Sequence, residues 1–348
     1  MAAASDLPIV LYRYDRSPYA RRLVWYLELR KIPYSECIQP PMLPRPDVAA
    51  LGVAYRRIPL LTIGRDVYLD TRLIIQKLET LFPPSTAHPG LSSPDPEHQA
   101  LAQLLSQRTV SGGLFFAAAQ CIPAGMISDP AFIKDRAELS GVDMKRRGAV
   151  SPFSSEAMRG QRPGALAVIR EAVRFLEEGL LRDGREWVLG SAREGPSLVD
   201  LEAVWVLHWL RGMPGALPAE VLGKESTPRV WAWIERFDGV VKGLGGKPGT
   251  VEGDEAAKMV AGARFAEEGE GEVDASDPVV VAEGFEKGQS VRMWPTDYGS
   301  LHRDAGKLLA MTRGEYVIET QGKYGSVRVH APRSGFKIEK GNSTASKM

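Results

Sequence analysis

Ser17 and Pro18 stand immediately ahead of the string ARRLVWYLELRK. Serine is a favoured N-cap and proline a favoured first helical residue, so the pair sets a hydroxyl at the mouth of a helix among unpaired backbone N–H groups. Three phenols, Tyr12, Tyr14 and Tyr19, lie beside it in the chain as rival hydroxyls. Ser197 and Asp200 form an S-x-x-D box in which the hydroxyl caps an N–H and the carboxylate reaches back to the cap. The two cysteines, Cys37 and Cys121, cannot make a disulfide framework. No CxxC or Cys/His cluster offers a zinc site, so no metal is expected. Both cysteines read as core residues, as does His208 within an apolar helix. The charge run Lys145 to Gly148 reads as solvated surface.

These groups need elements to hold them. Leu7 to Tyr14 is apolar and β-rich, a first strand. Leu23, Tyr26 and Leu27 recur at helical spacing, which predicts a helix from Pro18 to Lys31. Tyr34 to Gln39 is a second strand, and Pro59 to Leu69 reads as a hairpin turning at Gly64 to Asp66. Asp70-Thr71 then opens a helix with Leu73, Ile74, Lys77 and Leu78. The order is β-α-β followed by β-β-α. Three domains are expected: 1–85, a helical 97–245 and a small all-β 277–340, with linkers at 86–96 and 246–276. The first linker is rich in proline, the second in glycine and acidic residues. The stretch 121–163 reads as irregular, a lid or an enlarged pocket. The last segment, about 60 residues of short strands punctuated by glycine, predicts a small β-barrel or sandwich. Its Trp294, Tyr298, His302, Tyr316 and His330 read as its core, or as an added wall of a pocket.

The whole chain has 348 residues and a net charge of +1, which argues against a nucleic-acid binder or a polybasic membrane protein. No apolar run approaches the ~20 residues of a membrane span. The N-terminus lacks a secretory signal pattern, so a cytoplasmic location is expected. The final Ser346-Lys347-Met348 resembles a peroxisomal address and gives the alternative.

The strings SPYARRLVWYLELRKIPY and RRIPLLTIGRDVYLDTRLIIQKLE resemble the thioredoxin-like domain of glutathione S-transferases. Trp187-Val-Leu-Gly and Pro196-Ser-Leu-Val-Asp200 resemble that family's helical domain. The resemblance covers roughly residues 7–245 and implies a glutathione-dependent enzyme, commonly a homodimer, acting on an electrophilic apolar small molecule by transfer, isomerisation or elimination. A role in specialised metabolism fits the extra domain. Such relatives also include non-catalytic regulatory and assembly proteins, which is the competing reading.

The same resemblance implies site residues. Pro59 would be a cis-proline, with Ile58 pairing to the cysteinyl backbone of glutathione. Asp70 and Thr71 would hold the γ-glutamyl group, and Arg57 or Arg56 the glycine carboxylate. Ser17 would stabilise the thiolate, with Tyr14 as its rival. Ser17 stands where thioredoxins carry cysteine, which argues against dithiol redox and thiol-exchange chemistry. The electrophile would meet Tyr19, Arg108, Phe115 and Phe116 between the two domains.

Overall fold

The computed structural model describes residues 4–146, 148–191, 194–244, 246–269 and 271–341. β1 (Ile9–Arg13), α1 (Pro18–Leu29), β2 (Ser35–Ile38), a short α2 (Pro46–Ala50), β3 (Leu60–Ile63), β4 (Asp66–Leu69) and α3 (Thr71–Leu81) form the expected β-α-β and β-β-α halves. β1 pairs in parallel with β2 and antiparallel with β3. The β3–β4 hairpin turns at Gly64, whose φ is +55° and where a Cβ would stand 2.2 Å from the Arg264 carbonyl oxygen. Strand alternation divides the sheet between two cores. Ile9, Leu11, Leu61 and Ile63 pack with α1, α3 and the helical region, while Val10, Tyr12, Leu60 and Val67 face the other side.

The helical region follows as α4 (Pro96–Val110), α5 (Leu114–Gln120), α6 (Pro130–Leu139), α7 (Ser155–Phe175), α8 (Leu198–Arg211) and α9 (Pro228–Gly243). The stretch 121–163 thus holds α6 and the start of α7 instead of an irregular insert. α8 is buried nearly all round, as its apolar sequence requires. Its capping box forms: Ser197 Oγ accepts from Asp200 N at 3.3 Å, and Ser197 N donates to Asp200 Oδ2 at 2.9 Å. Asp200 Oδ1 also accepts from Trp233 Nε1 at 2.9 Å and Val188 N at 2.8 Å. One carboxylate therefore fixes the start of α8, a residue of α9 and the Trp187-Val-Leu-Gly turn.

The last part contains β5 (Gly249–Thr250), α10 (Gly253–Gly262), α11 (Pro278–Glu283), β6 (Ser290–Pro295), β7 (Asp304–Met311), β8 (Glu315–Gln321), β9 (Ser326–Pro332) and β10 (Phe336–Lys340). The all-β segment is present, but it does not close on itself. β9 pairs in parallel with β4, giving one ten-stranded sheet in the order β10-β6-β7-β8-β9-β4-β3-β1-β2-β5. The physical reason is size: so short a segment buries too little surface for a core of its own. Val291, Met293, Leu308, Ile318 and Val329 instead share one apolar cluster with Val10, Tyr12, Leu60 and Val67. The pairing also covers β4, which would otherwise expose an edge of unpaired N–H and C=O groups. The stretch 246–276, read as a linker for its acidity, supplies β5 along β2 and packs Ala256, Ala257 and Val260 of α10 into the same cluster.

Candidate functional site

α1 begins with Ser17 as its N-cap: Ser17 Oγ accepts from Ala20 N at 3.2 Å, and Ser17 N donates to the Tyr14 carbonyl at 3.1 Å. The side chain is buried at the start of the helix. Its cap bond uses the oxygen as acceptor, and a hydroxyl that accepts one bond still has a proton to donate. Ile58–Pro59 is a cis peptide, standing directly before β3. At the start of α3, Asp70 is the N-cap with φ of +66°. Asp70 Oδ1 accepts from Arg72 N at 3.0 Å and Arg72 Nε at 2.9 Å, and Oδ2 accepts from Arg72 Nη2 at 2.8 Å. Burial opposes ionisation of Asp70, but the Arg72 hydrogen bonds outweigh it and hold the carboxyl below its usual range. The carboxylate retains a lone pair on Oδ2 for a further donor.

Thr71 faces the helical region. Its Oγ1 accepts from Arg22 Nη1 at 2.6 Å, while Arg22 Nη2 donates to Ser106 Oγ at 2.9 Å and pairs with Glu202. Arg22 and Glu202 are 0% and 3% exposed, so α1, α3, α4 and α8 meet through a buried ion pair. Burial raises the Glu202 carboxyl even with Arg22 beside it. Sequence reading missed this network. One signal was available: a glutamate inside the apolar LVDLEAVWV helix demands a partner.

Neither expected cation is open. Arg57 Nε donates to the Tyr298 carbonyl at 2.6 Å, and its Nη2 pairs with Asp297, both in the loop between β6 and β7. Arg56 is buried and pairs with Asp135 of α6 at 2.8 Å. Asp304, at the start of β7, accepts from Ala54 N at 2.6 Å and Tyr55 N at 3.1 Å, tying the third segment to the backbone that leads into Ile58–Pro59. Burial pushes its carboxyl up to about 7, with the two N–H groups opposing.

The expected electrophile residues divide. Tyr19 packs at 4.5 Å from the Phe115 ring and 4.8 Å from Trp205, and Phe115 stacks on Trp205 and Trp209. This is an aromatic domain contact, and burial raises the Tyr19 hydroxyl far above its ordinary range. Phe116 is exposed, with its ring 6.1 Å from that of Tyr298 in the third segment. Arg108 turns to α7, pairing with Glu171 at 3.3 Å and lying over the Phe175 ring. Tyr14 is half-buried against the second core. Tyr12 is fully buried, and burial with Cys37 and Asp47 nearby makes it a poor phenolate.

The cysteines lie in the core: burial and Asp47 push the Cys37 thiol up to about 12, and burial raises Cys121 as well. Such thiols are inert. His208 Nε2 meets Asp238 at 3.0 Å and its ring stands edge-on to Trp25. Trp294 and Tyr316 are buried, and His330 is enclosed by carboxylates. Arg147 in the charge run and the final Ser346-Lys347-Met348 lie outside the described residues.

Residues 11–86 match the family described as "Glutathione S-transferase, N-terminal domain", and residues 117–244 match "Domain of unknown function (DUF7962)". No curated protein sequence matches the chain. Among solved structures, a GST-like protein from Pseudomonas syringae is 23% identical, with 96% of this chain and 100% of that chain covered and a TM-score of 0.65. The beta-etherase LigF from Sphingobium sp. strain SYK-6 is 16% identical, with 68% and 98% covered and a TM-score of 0.50. The first of these likenesses takes in the strands beyond the helical region, so the extended sheet belongs to a fold that another protein shares. Residues 11–86 thus match a glutathione S-transferase N-terminal domain, and the likeness to the Pseudomonas syringae protein shows that the fold is shared over nearly the whole chain.

Proposed function

We propose that the protein is a glutathione-dependent enzyme of the transferase type. Glutathione would lie with its cysteinyl backbone on Ile58 and its γ-glutamyl group at the start of α3. Ser17 would donate its hydroxyl proton to the thiolate. The observation that carries this reading is the pair of capped helix starts, Ser17 on α1 and Asp70-Thr71 on α3, within one matched domain. Helix N-termini favour anions, which suits both the thiolate and the γ-glutamyl carboxylate. The ammonium of that group would use the remaining lone pair of Asp70.

The thiolate is the nucleophile, and a free thiol near pKa ~8.5 is only slightly ionised at neutral pH. Lowering that value by ~2 requires ~2.7 kcal/mol of preference for the anion. A hydrogen bond to a charged group contributes ~1.5–3 kcal/mol and a helix N-terminus ~0.3–1. Ser17 and α1 together reach the required amount. The thiolate would form a C–S bond to an electrophilic carbon, and the leaving group would depart with the bonding pair. In an isomerising or eliminating variant, glutathione leaves again unchanged. Phe116 and Tyr298 offer apolar contact for the electrophile, consistent with a small apolar substrate.

The second reading, a non-catalytic regulatory or assembly protein, is favoured by one observation: Arg57 already pairs with Asp297 and Asp70 with Arg72. Titration with glutathione decides between them. Sub-millimolar binding with thiolate absorbance supports the enzyme; weaker binding without that absorbance supports the alternative. A homodimer and a cytoplasmic site are part of the proposal. No helix among the described residues is long and apolar enough to cross a membrane. Fusing the last ten residues to a fluorescent reporter tests the peroxisomal alternative, which a purely diffuse signal would exclude.

A further inference from the structure

At the seam where β9 joins β4, six ionisable side chains from α3, β4, β8, β9 and the segment after α10 converge. His330 is 2% exposed. Its Nε2 faces Asp66 Oδ1 at 3.0 Å, and its Nδ1 faces Glu315 Oε2 at 3.1 Å and Glu267 Oε1 at 3.6 Å. Lys77 Nζ holds the outer oxygens of both glutamates, Glu267 Oε2 at 2.7 Å and Glu315 Oε1 at 2.5 Å. Tyr68 donates its hydroxyl to Glu267 Oε1 at 2.9 Å. A cavity of about 290 Å³, lined by Gln76, Lys77, Thr312, Glu267 and Glu315 among others, opens beside the cluster.

We propose that His330, Glu267 and Glu315 form a binding site for one divalent first-row transition-metal ion of the zinc type. Bonds of ~2.0–2.2 Å in tetrahedral geometry put neighbouring ligand atoms about 3.3–3.6 Å apart. The two distances from His330 Nδ1 lie close to that edge, and one ligand atom from each residue falls within 4.8 Å of the others. Each ligand has a partner behind it. Asp66 fixes the ring through Nε2, as a carboxylate does for a metal-bound histidine, and Lys77 fixes both glutamates through their second oxygens. The cavity gives an entry path and room for solvent in a fourth position. Three carboxylates, Asp66, Glu267 and Glu315, stand around the ring against the single ammonium of Lys77, so the surroundings attract a cation. The site has no local sequence motif because its ligands come from residues 267, 315 and 330.

The test uses the full chain, stripped with chelator and titrated with zinc chloride by calorimetry, with zinc counted after gel filtration. One zinc per chain is expected in the wild type. Because His330→Ala empties a buried position, the glutamate variants carry the comparison. Glu315→Gln and Glu267→Gln should each weaken zinc binding at least tenfold, with circular dichroism unchanged. If either variant fails to fold, cobalt(II) on the wild-type chain decides: intense tetrahedral ligand-field bands support the site, and a spectrum like aqueous cobalt opposes it. Absence of saturable uptake by the wild type, or uptake unchanged in both folded variants, overturns the proposal.

Discussion

Replacing Ser17 by alanine removes two interactions of different kinds, and their magnitudes separate them. The first is the cap bond, 3.2 Å from Ala20 N, whose loss costs ~1 kcal/mol of folding stability, within the usual range of ~0.5–2. For a chain of this size that lowers the melting temperature by only a few degrees. The second is the hydrogen bond proposed to a bound thiolate, ~1.5–3 kcal/mol, whose loss would correspond to a rise of ~1–2 in the pKa of bound glutathione. At pH 7 the ionised fraction then falls by roughly 3- to 25-fold from a starting pKa of ~6.5. The assay is an ultraviolet titration of thiolate absorbance with saturating glutathione, run beside a thermal melt. Ser17→Ala should shift the titration by 1–2 pH units while melting moves little. Ser17→Thr should retain most of both, since threonine also caps and donates. A titration midpoint identical in wild type and Ser17→Ala, with glutathione still bound, would refute thiolate stabilisation by Ser17 and leave it a cap alone.

Asp304→Asn tests the anchor on the backbone before Ile58–Pro59. A folded-state pKa raised to about 7 means that its contribution is complete below the unfolded value near 4 and is lost as pH rises through 7. A shift of this size corresponds to about 4 kcal/mol, so wild-type stability should fall between pH 4 and 7 more steeply than that of Asp304→Asn. Parallel denaturation curves across that range would count against the clamp. Glu202→Leu strands Arg22 in the domain contact and should cost ~3–5 kcal/mol in chemical denaturation, whereas Arg22→Met with Glu202→Leu should cost less than the single change. A double variant as unstable as the summed singles would mean that the pair is not coupled. Asp297→Asn frees Arg57, and since Asp297 is largely exposed the gain is at most ~1 kcal/mol, seen as glutathione affinity tightened up to about fivefold. Weaker binding would mean that the pairing positions Arg57 and does not compete with the ligand.

The elements whose causes are local were legible from the residues alone. Ser17-Pro18 marks the start of α1, the Ser197–Asp200 box marks α8, and strand alternation in Ile9 to Tyr12 and Leu60 to Ile63 marks the sheet. Caps, turns and periodicity act over a few residues, so the β-α-β and β-β-α order and the capping places of Ser17 and Asp70 could be read, whereas the cis bond before Pro59 followed only from the family resemblance. Acidic and glycine-rich composition hid α10, whose Ala256, Ala257 and Val260 nevertheless make one buried face. What the tertiary structure alone decided is which distant groups meet. β9 pairs with β4, Arg57 with Asp297, Arg22 with Glu202 and His330 with Asp66, the last pair 264 residues apart. Such contacts form because an edge strand needs a partner, a small β segment needs a shared core, and a buried charge needs a counter-charge. Local sequence sets each of these needs without naming the residue that will meet it. The same physics that made Ser17 readable therefore left the contact of Tyr298 with Phe116, the clamp at Asp304 and the cluster around His330 to the folded chain.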